Sequence, residues 1–270
     1  MALVKMTILG YSVRMEDRLP TPPSSSSMPV LHHRAEFDTI LKQYKMNDAA
    51  LQVLQHTPFV LLVAASGAGR NTIIERLIDT GNYYYVVSDT TRPPRVRDGK
   101  PIEQNGVQYF FRDENDVLAD LKAGKFLEAA VIHEQQVSGI SVREIEAAQQ
   151  SHKVAITDIE VQGSAYITKV KPDTLNIFIL PPSFEEWLAR IRKRSHLPDA
   201  EIKNRIEAAI TELTVALESD RFIFVINDDL DEAITTIDEI ARQGKHHLSA
   251  EERAHTLAAE LRDQAVAFIG

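Results

Sequence analysis

The chain has 270 residues, 44% hydrophobic and 26% charged, an ordinary composition for a soluble globular protein of one or two domains. Its 30 Lys and Arg against 39 Asp and Glu give a net charge of −9, which argues against a general nucleic-acid binder but leaves room for a local basic pocket around one small anion. With no cysteine, disulfides, cysteine-ligated zinc, iron–sulfur clusters and thiol nucleophiles are excluded. No apolar run approaches the ~20 residues needed to span a bilayer. The start M-A-L-V-K-M-T-I-L-G-Y has a broken apolar stretch and no small-residue cleavage site, so a signal peptide is not expected and the chain reads as cytoplasmic, without membrane partners.

In chain order, residues 1–30 are expected to be a disordered tail. Residues 19–29 read L-P-T-P-P-S-S-S-S-M-P, where proline withholds a donor and serine buries nothing. Met28, at the end of that tract, is the expected true initiator. Residues 31–56 read as a helical N-terminal extension. Phe37, Ile40, Leu41 and Tyr44 recur at helical spacing, and Leu51 and Leu54 follow a break near Asn47 and Asp48.

Short apolar runs then alternate with helical patterns. Strands are expected at 59–65, 83–87, 154–157, 176–180 and 222–226. Helices are expected at 71–79, 114–123, 142–150, 184–194, 199–218 and 231–243. That alternation implies an α/β fold with a parallel sheet covered by helices on both faces. Residues 107–112 read as an antiparallel strand of an inserted lobe. A last helix over 249–269, opened by a Ser249–Glu252 capping box, forms a C-terminal helical extension from 245 to 270. The pairs His32-His33 and His246-His247 lie in expected linkers and read as solvated.

The first strand runs into Ala64-Ala65-Ser66-Gly67-Ala68-Gly69-Arg70-Asn71-Thr72 and then a helix. This is the strand, small-residue loop and helix N-terminus in which backbone N–H groups converge on a phosphate. Against the pattern G-x-x-x-x-G-K-[ST], Ala64 replaces the first glycine, Arg70 the lysine and Asn71 the hydroxyl residue. Arg70 keeps the charge on a wider, planar donor. Asn71 exchanges the usual Mg²⁺-ligating hydroxyl for an amide oxygen. The plainer reading of the loop alone is a tight strand–turn–helix with no nucleotide.

Downstream lies Ser88-Asp89-Thr90-Thr91-Arg92-Pro93-Pro94-Arg95, two arginines three apart beside three hydroxyls, a compact site for a phosphate dianion. Then follow N-G-x-x-Y (Asn105 to Tyr109), G-x-F-L-E (Gly124 to Glu128), D-I-x-x-Q-G (Asp158 to Gly163), L-P-P-S (Leu180 to Ser183) and N-D-D-L (Asn227 to Leu230). This ordered set resembles the guanylate kinase family over roughly residues 57–243.

The resemblance implies a P-loop nucleoside monophosphate kinase fold over 57–244, with a GMP-binding lobe at about 88–150 and a lid at about 183–205. It implies transfer of the ATP γ-phosphoryl to GMP with Mg²⁺, and ATP and GMP as ligands. Carried over residue by residue, Ala65, Ser66, Gly67, Ala68, Gly69, Arg70, Asn71 and Thr72 would cradle ATP, with Asn227 on its adenine side. Ser88, Arg92, Arg95 and Tyr109 would clamp the GMP phosphate, Glu128 would read guanine, and Asp158 would hold Mg²⁺. Glu160 stands where the family has a second, GMP-contacting aspartate. Arg190, Arg192, Arg194 and Arg205 resemble the arginines that close over the phosphates; their plainer reading is a solvated basic face. Ser138 stands at a tyrosine position and Ile140 at a hydroxyl position, with one extra residue that would let Ser141 shift in. The segment between Arg95 and Tyr109 is five residues longer than usual. Three readings stay open at this point: a GMP kinase, an impaired domain that binds nucleotide or protein without transfer, and a P-loop kinase for another phosphorylated acceptor.

Overall fold

The apolar run after residue 58 becomes the strand Phe59–Ala64, whose side chains alternate between two cores. The computed structural model describes residues 4–8, 11–15, 31–97, 99–132, 134–194 and 198–270, with backbone alone for the first two segments and residue 194. The chain divides into two units, Pro58–Tyr85 with His152–Gly270, and Met1–Thr57 with Val86–Ser151.

The first unit holds a five-stranded sheet in the order Phe222–Ile226, Leu175–Leu180, Phe59–Ala64, Val154–Asp158, Tyr83–Tyr85. All four pairings are parallel. Parallel strands need crossovers, and the helices that supply them cover both faces. Val60, Leu62, Ile177 and Ile179 pack with Ile73 and Leu77 of helix Arg70–Asp79 and with Ile237 and Ile240 of helix Leu230–Gln243. Val63, Phe178, Leu180 and Phe224 point to the other core, beneath helices Phe184–Arg194, Asp199–Leu217 and Leu248–Ile269. The C-terminal helix belongs to that core. Its Ala254, Ala258, Leu261 and Ala265 are buried, and small side chains let it lie close to Ala209 and Ala216 of Asp199–Leu217.

The second unit holds a four-stranded sheet in the order Phe110–Phe111, Asp89–Thr90, Gln136–Ser141, Phe126–Ile132. Helices Arg34–Leu41 and Asp48–His56, the expected N-terminal extension, pack into this unit. Phe37, Leu41 and Tyr44 share a core with Val117, Leu118 and Leu121 of helix Glu114–Lys122 and with Phe126 and Val131. The break near residue 47 is a helix cap, since the Asn47 side chain accepts from Ala50 N–H.

Several elements differ from the sequence reading. Residues 110–111 form a two-residue strand that runs parallel to Asp89–Thr90, not the antiparallel strand expected over 107–112. The helix Val161–Val170 and the hairpin of Phe126–Ile132 with Gln136–Ser141 were not anticipated; small residues such as Gly163 and Gly139 interrupt their apolar patterns. The last helix starts at Leu248, with no Ser249–Glu252 capping box: Glu251 reaches back to accept from His247 N–H at 3.0 Å. Within the expected tail, Val4–Ile8 and Tyr11–Met15 pair antiparallel, in keeping with the apolar–polar alternation of Val4-Lys5-Met6-Thr7-Ile8; residues 19–29 lie outside the described residues. Among the described residues no helix is long and apolar enough to cross a membrane.

Candidate active site

The expected nucleotide residues fall into two groups, one in each unit. In the parallel-sheet unit, strand Phe59–Ala64 feeds a loop that turns through Gly67 and Gly69, at φ 91° and 92°. Only glycine enters that left-handed region without strain. Gly69 is also the N-cap of helix Arg70–Asp79, and a Cβ there would collide with the Asn227 amide. Asn227 is buried, and its Nδ2 donates to Ala68 O at 2.8 Å, so it fixes the loop backbone. Ala64 closes the strand without requiring positive φ, which explains why glycine is dispensable there. Asn71 and Thr72 are exposed on the first turn of the helix.

The loop is held from two helices of the same unit. Trp187 Nε1 donates to Ser66 O at 2.8 Å, and Arg205 donates to Ser66 Oγ at 3.0 Å. Arg190 donates to Asn227 O at 3.0 Å. Of the expected lid arginines, Arg190 and Arg205 are thus brought to the loop, and Arg192 is exposed. Arg194 ends its helix, with its side chain outside the described residues, as are residues 195–197.

Arg70 donates to Asp158 Oδ2 at 2.6 Å, and Tyr85 Oη donates to Oδ1 at 2.6 Å. Arg70 Nε is buried without a hydrogen-bond partner. Glu160 is exposed and serves as the N-cap position of helix Val161–Val170, in the same unit as the loop. Burial pushes the Glu212 carboxyl up to about 7; the charge of Glu160 adds to the rise and Arg70 opposes it. Trp187, Tyr85 and Glu212 escaped the sequence reading, because each acts through a tertiary contact that no local motif records.

Mg²⁺ takes hard oxygen donors and usually keeps phosphate and water oxygens among its ligands. Asp158 accepts one hydrogen bond on each oxygen, so each retains a lone pair, and Asn71, the residue after Arg70, carries an exposed amide. These donors fit an ion held mainly by phosphates.

In the second unit, Arg92 forms a bidentate pair with Glu103, at 2.6 and 2.7 Å, with both side chains about 10% exposed (10% and 9%). Glu103 also accepts from Arg95 N–H at 2.7 Å. The Arg92 guanidinium lies 4.9 Å from the Tyr109 ring centroid. Arg95 itself is 70% exposed, with its guanidinium 3.9 Å from the Glu103 carboxylate. Glu103 comes from the lengthened segment between Arg95 and Tyr109 and was not singled out in the sequence.

Ser88 O accepts from Phe110 N–H, and buried Asp89 lies between Arg112 and Arg143, at 3.0 and 2.8 Å. Burial raises the Asp89 carboxyl while Arg143 and Arg112 pull it down. Glu128 is half-buried on strand Phe126–Ile132, directly across from Ile140. Ile140 therefore occupies the position opposite the expected base reader. Ser141 does not shift in: it pairs with Phe126 and its buried Oγ has no hydrogen-bond partner. Ser138 donates to Thr90 Oγ1 at 2.9 Å and ties two strands together.

A five-stranded parallel sheet whose central strand runs through a glycine-turned loop into a helix N-terminus defines a P-loop nucleotide-binding α/β protein. The guanylate kinase family model matches residues 55–244, and the chain belongs to that family. The guanylate kinase of Sulfurimonas denitrificans is 38% identical over 184 residues, 67% of this chain and 85% of that protein. That of Corynebacterium diphtheriae is 33% identical, covering 67% and 92%. That of Trichormus variabilis is 37% identical, covering 66% and 86%.

Proposed function

We propose that this chain transfers the γ-phosphoryl of ATP to GMP, giving ADP and GDP, with Mg²⁺ as the divalent ion. The observation that carries the reading is the phosphate loop of a guanylate-kinase-family chain: Ala65 to Thr72, turned by Gly67 and Gly69, with Arg70, Arg190 and Arg205 in the same unit.

In this reading the loop N–H groups and the helix N-terminus take the triphosphate, and the Arg70 guanidinium adds positive charge beside it. Arg190 and Arg205 neutralise charge on the transferring group, with Arg194 as a further candidate. Bound Mg²⁺ supplies charge neutralisation on the phosphate oxygens, and Asp158 and Asn71 are the residues that would hold it. Asn227 fixes the loop and borders the adenine. On the acceptor, Ser88, Arg92, Arg95 and Tyr109 hold the phosphate, and Ser138, Ser141 and Glu160 are subsidiary candidates. Glu128 accepts from the ring N–H and exocyclic amine of guanine, two donors that adenine does not present together. No protein nucleophile is needed, since in-line transfer rests on positioning and electrostatics.

The test is ADP release with ATP, Mg²⁺ and each common nucleoside monophosphate in turn. Turnover with GMP alone supports the reading. Binding of ATP and GMP without turnover with any acceptor overturns it in favour of a nucleotide-binding module.

A further inference from the structure

The outer strand of the four-stranded sheet, Phe126–Ile132, carries Glu128, and its first residue is met by a residue from outside the family match. Tyr44 is buried, and its hydroxyl donates to Phe126 O and accepts from Phe126 N–H, both at 2.7 Å. A single phenol thereby satisfies both backbone groups of one edge residue, groups that would otherwise be buried unpaired.

The position is specific. Ile140 pairs with Glu128 and Ser141 with Phe126, so Leu127 is the extra residue of a β-bulge. Bulges re-aim the side chains that follow them. Phe126, Ala129 and Val131 face the core shared with Phe37 and Leu41, which leaves Glu128 to project from the other side. Tyr44 pins the residue on one side of the bulge, and Glu128 is the residue on the other.

A second tie lies just upstream. Asn47 Nδ2 donates to Ala123 O at 2.7 Å, and Asn47 N–H donates to Gly124 O at 3.0 Å. Gly124 is at φ 68°, and a Cβ there would stand 2.6 Å from Asn47 N. The segment 44–47 therefore grips the chain from 123 to 126 at four backbone groups, two through Asn47 and two through the Tyr44 hydroxyl.

We propose that Tyr44 is a positioning residue for acceptor recognition: through Phe126 it fixes the bulge that aims Glu128 at the base, and the N-terminal helices are its support. The inference rests on the reading of Glu128 as the guanine-binding residue.

The experiment is Tyr44→Phe in the full chain, with steady-state kinetics for GMP and ATP and amide hydrogen exchange over 126–132. The KM for GMP is expected to rise about tenfold, with kcat and the KM for ATP within about twofold of wild type, and Phe126 and Leu127 to exchange faster. If Tyr44→Phe does not fold, Asn47→Ala takes its place, with an expected rise in GMP KM of about threefold and ATP KM unchanged. A lowered melting temperature with GMP KM unchanged would overturn the proposal and leave a purely structural tyrosine. Wild-type protein that neither binds nor phosphorylates GMP would overturn the functional reading, and this inference with it.

Discussion

Arg70 donates to Asp158 at 2.6 Å, which joins the first residue of the phosphate-loop helix to the end of the neighbouring strand. In this chain the cation of the loop is a guanidinium, and its Nε is buried without a partner. Arg70→Ala removes the strand tie and, on the proposed function, a phosphate ligand, and kcat/KM for ATP is expected to fall at least about 100-fold. Arg70→Lys keeps the charge without the fork and is expected to stay within about tenfold of wild type. ADP-release kinetics check both; wild-type rates from Arg70→Ala would remove Arg70 from the donor site.

Gly69 is the most constrained residue of the loop, held at φ 92° with Asn227 against it. Gly69→Ala is expected to cost about 1–2 kcal/mol from the left-handed backbone alone, and more from the displaced Asn227 amide. Calorimetric ATP affinity is expected to drop more than about tenfold, because Asn227 no longer holds Ala68 O.

In the other unit Arg92 and Glu103 form a bidentate pair. Its hydrogen bonds from Arg92 hold the Glu103 carboxyl below its ordinary value of 4.5. A depressed folded-state pKa contributes stability above the unfolded value, and that contribution is lost as pH falls through the folded one. Glu103→Ala leaves a buried guanidinium unpaired and is expected to destabilise the protein by about 3 kcal/mol at pH 7. Urea unfolding checks the value, and the gap to wild type is expected to narrow only as pH falls below about 4.5.

Glu212 has the opposite sign. Its carboxyl is raised by burial to about 7, so its contribution is fully present below the ordinary value of 4.5 and is lost as pH rises through about 7. Glu212→Gln removes that titration. At pH 8 the variant is expected to melt about 3 °C above wild type, with the difference gone below about pH 4. A pH-independent difference in melting temperature would show that Glu212 does not titrate in this range.

Much of this was legible in the sequence because local physics carried it. Continuous apolar runs such as residues 59–65 mark strands buried on both faces, and the helices over 142–150 and 184–194 fall where their periodicity put them. The phosphate loop was legible from small residues between strand and helix. What escaped depends on partners far apart in the chain. Nothing near Tyr44 announces Phe126, and nothing near Trp187 announces Ser66. Residues 110–111 pair in parallel because Asp89–Thr90 sets their direction, and no local pattern encodes that. Which of Ile140 and Ser141 lies across from Glu128 depends on the bulge at Leu127, which no local pattern announces.

The most direct measurement is phosphorus NMR of the protein with ATP, Mg²⁺ and GMP, with AMP, CMP and UMP as parallel acceptors. Equal amounts of ADP and GDP are expected from GMP, with the other three unchanged and the GMP reaction lost in Glu128→Gln. ATP left intact beside GMP, or an equal reaction with AMP, would contradict the assignment of this chain as a kinase of GMP.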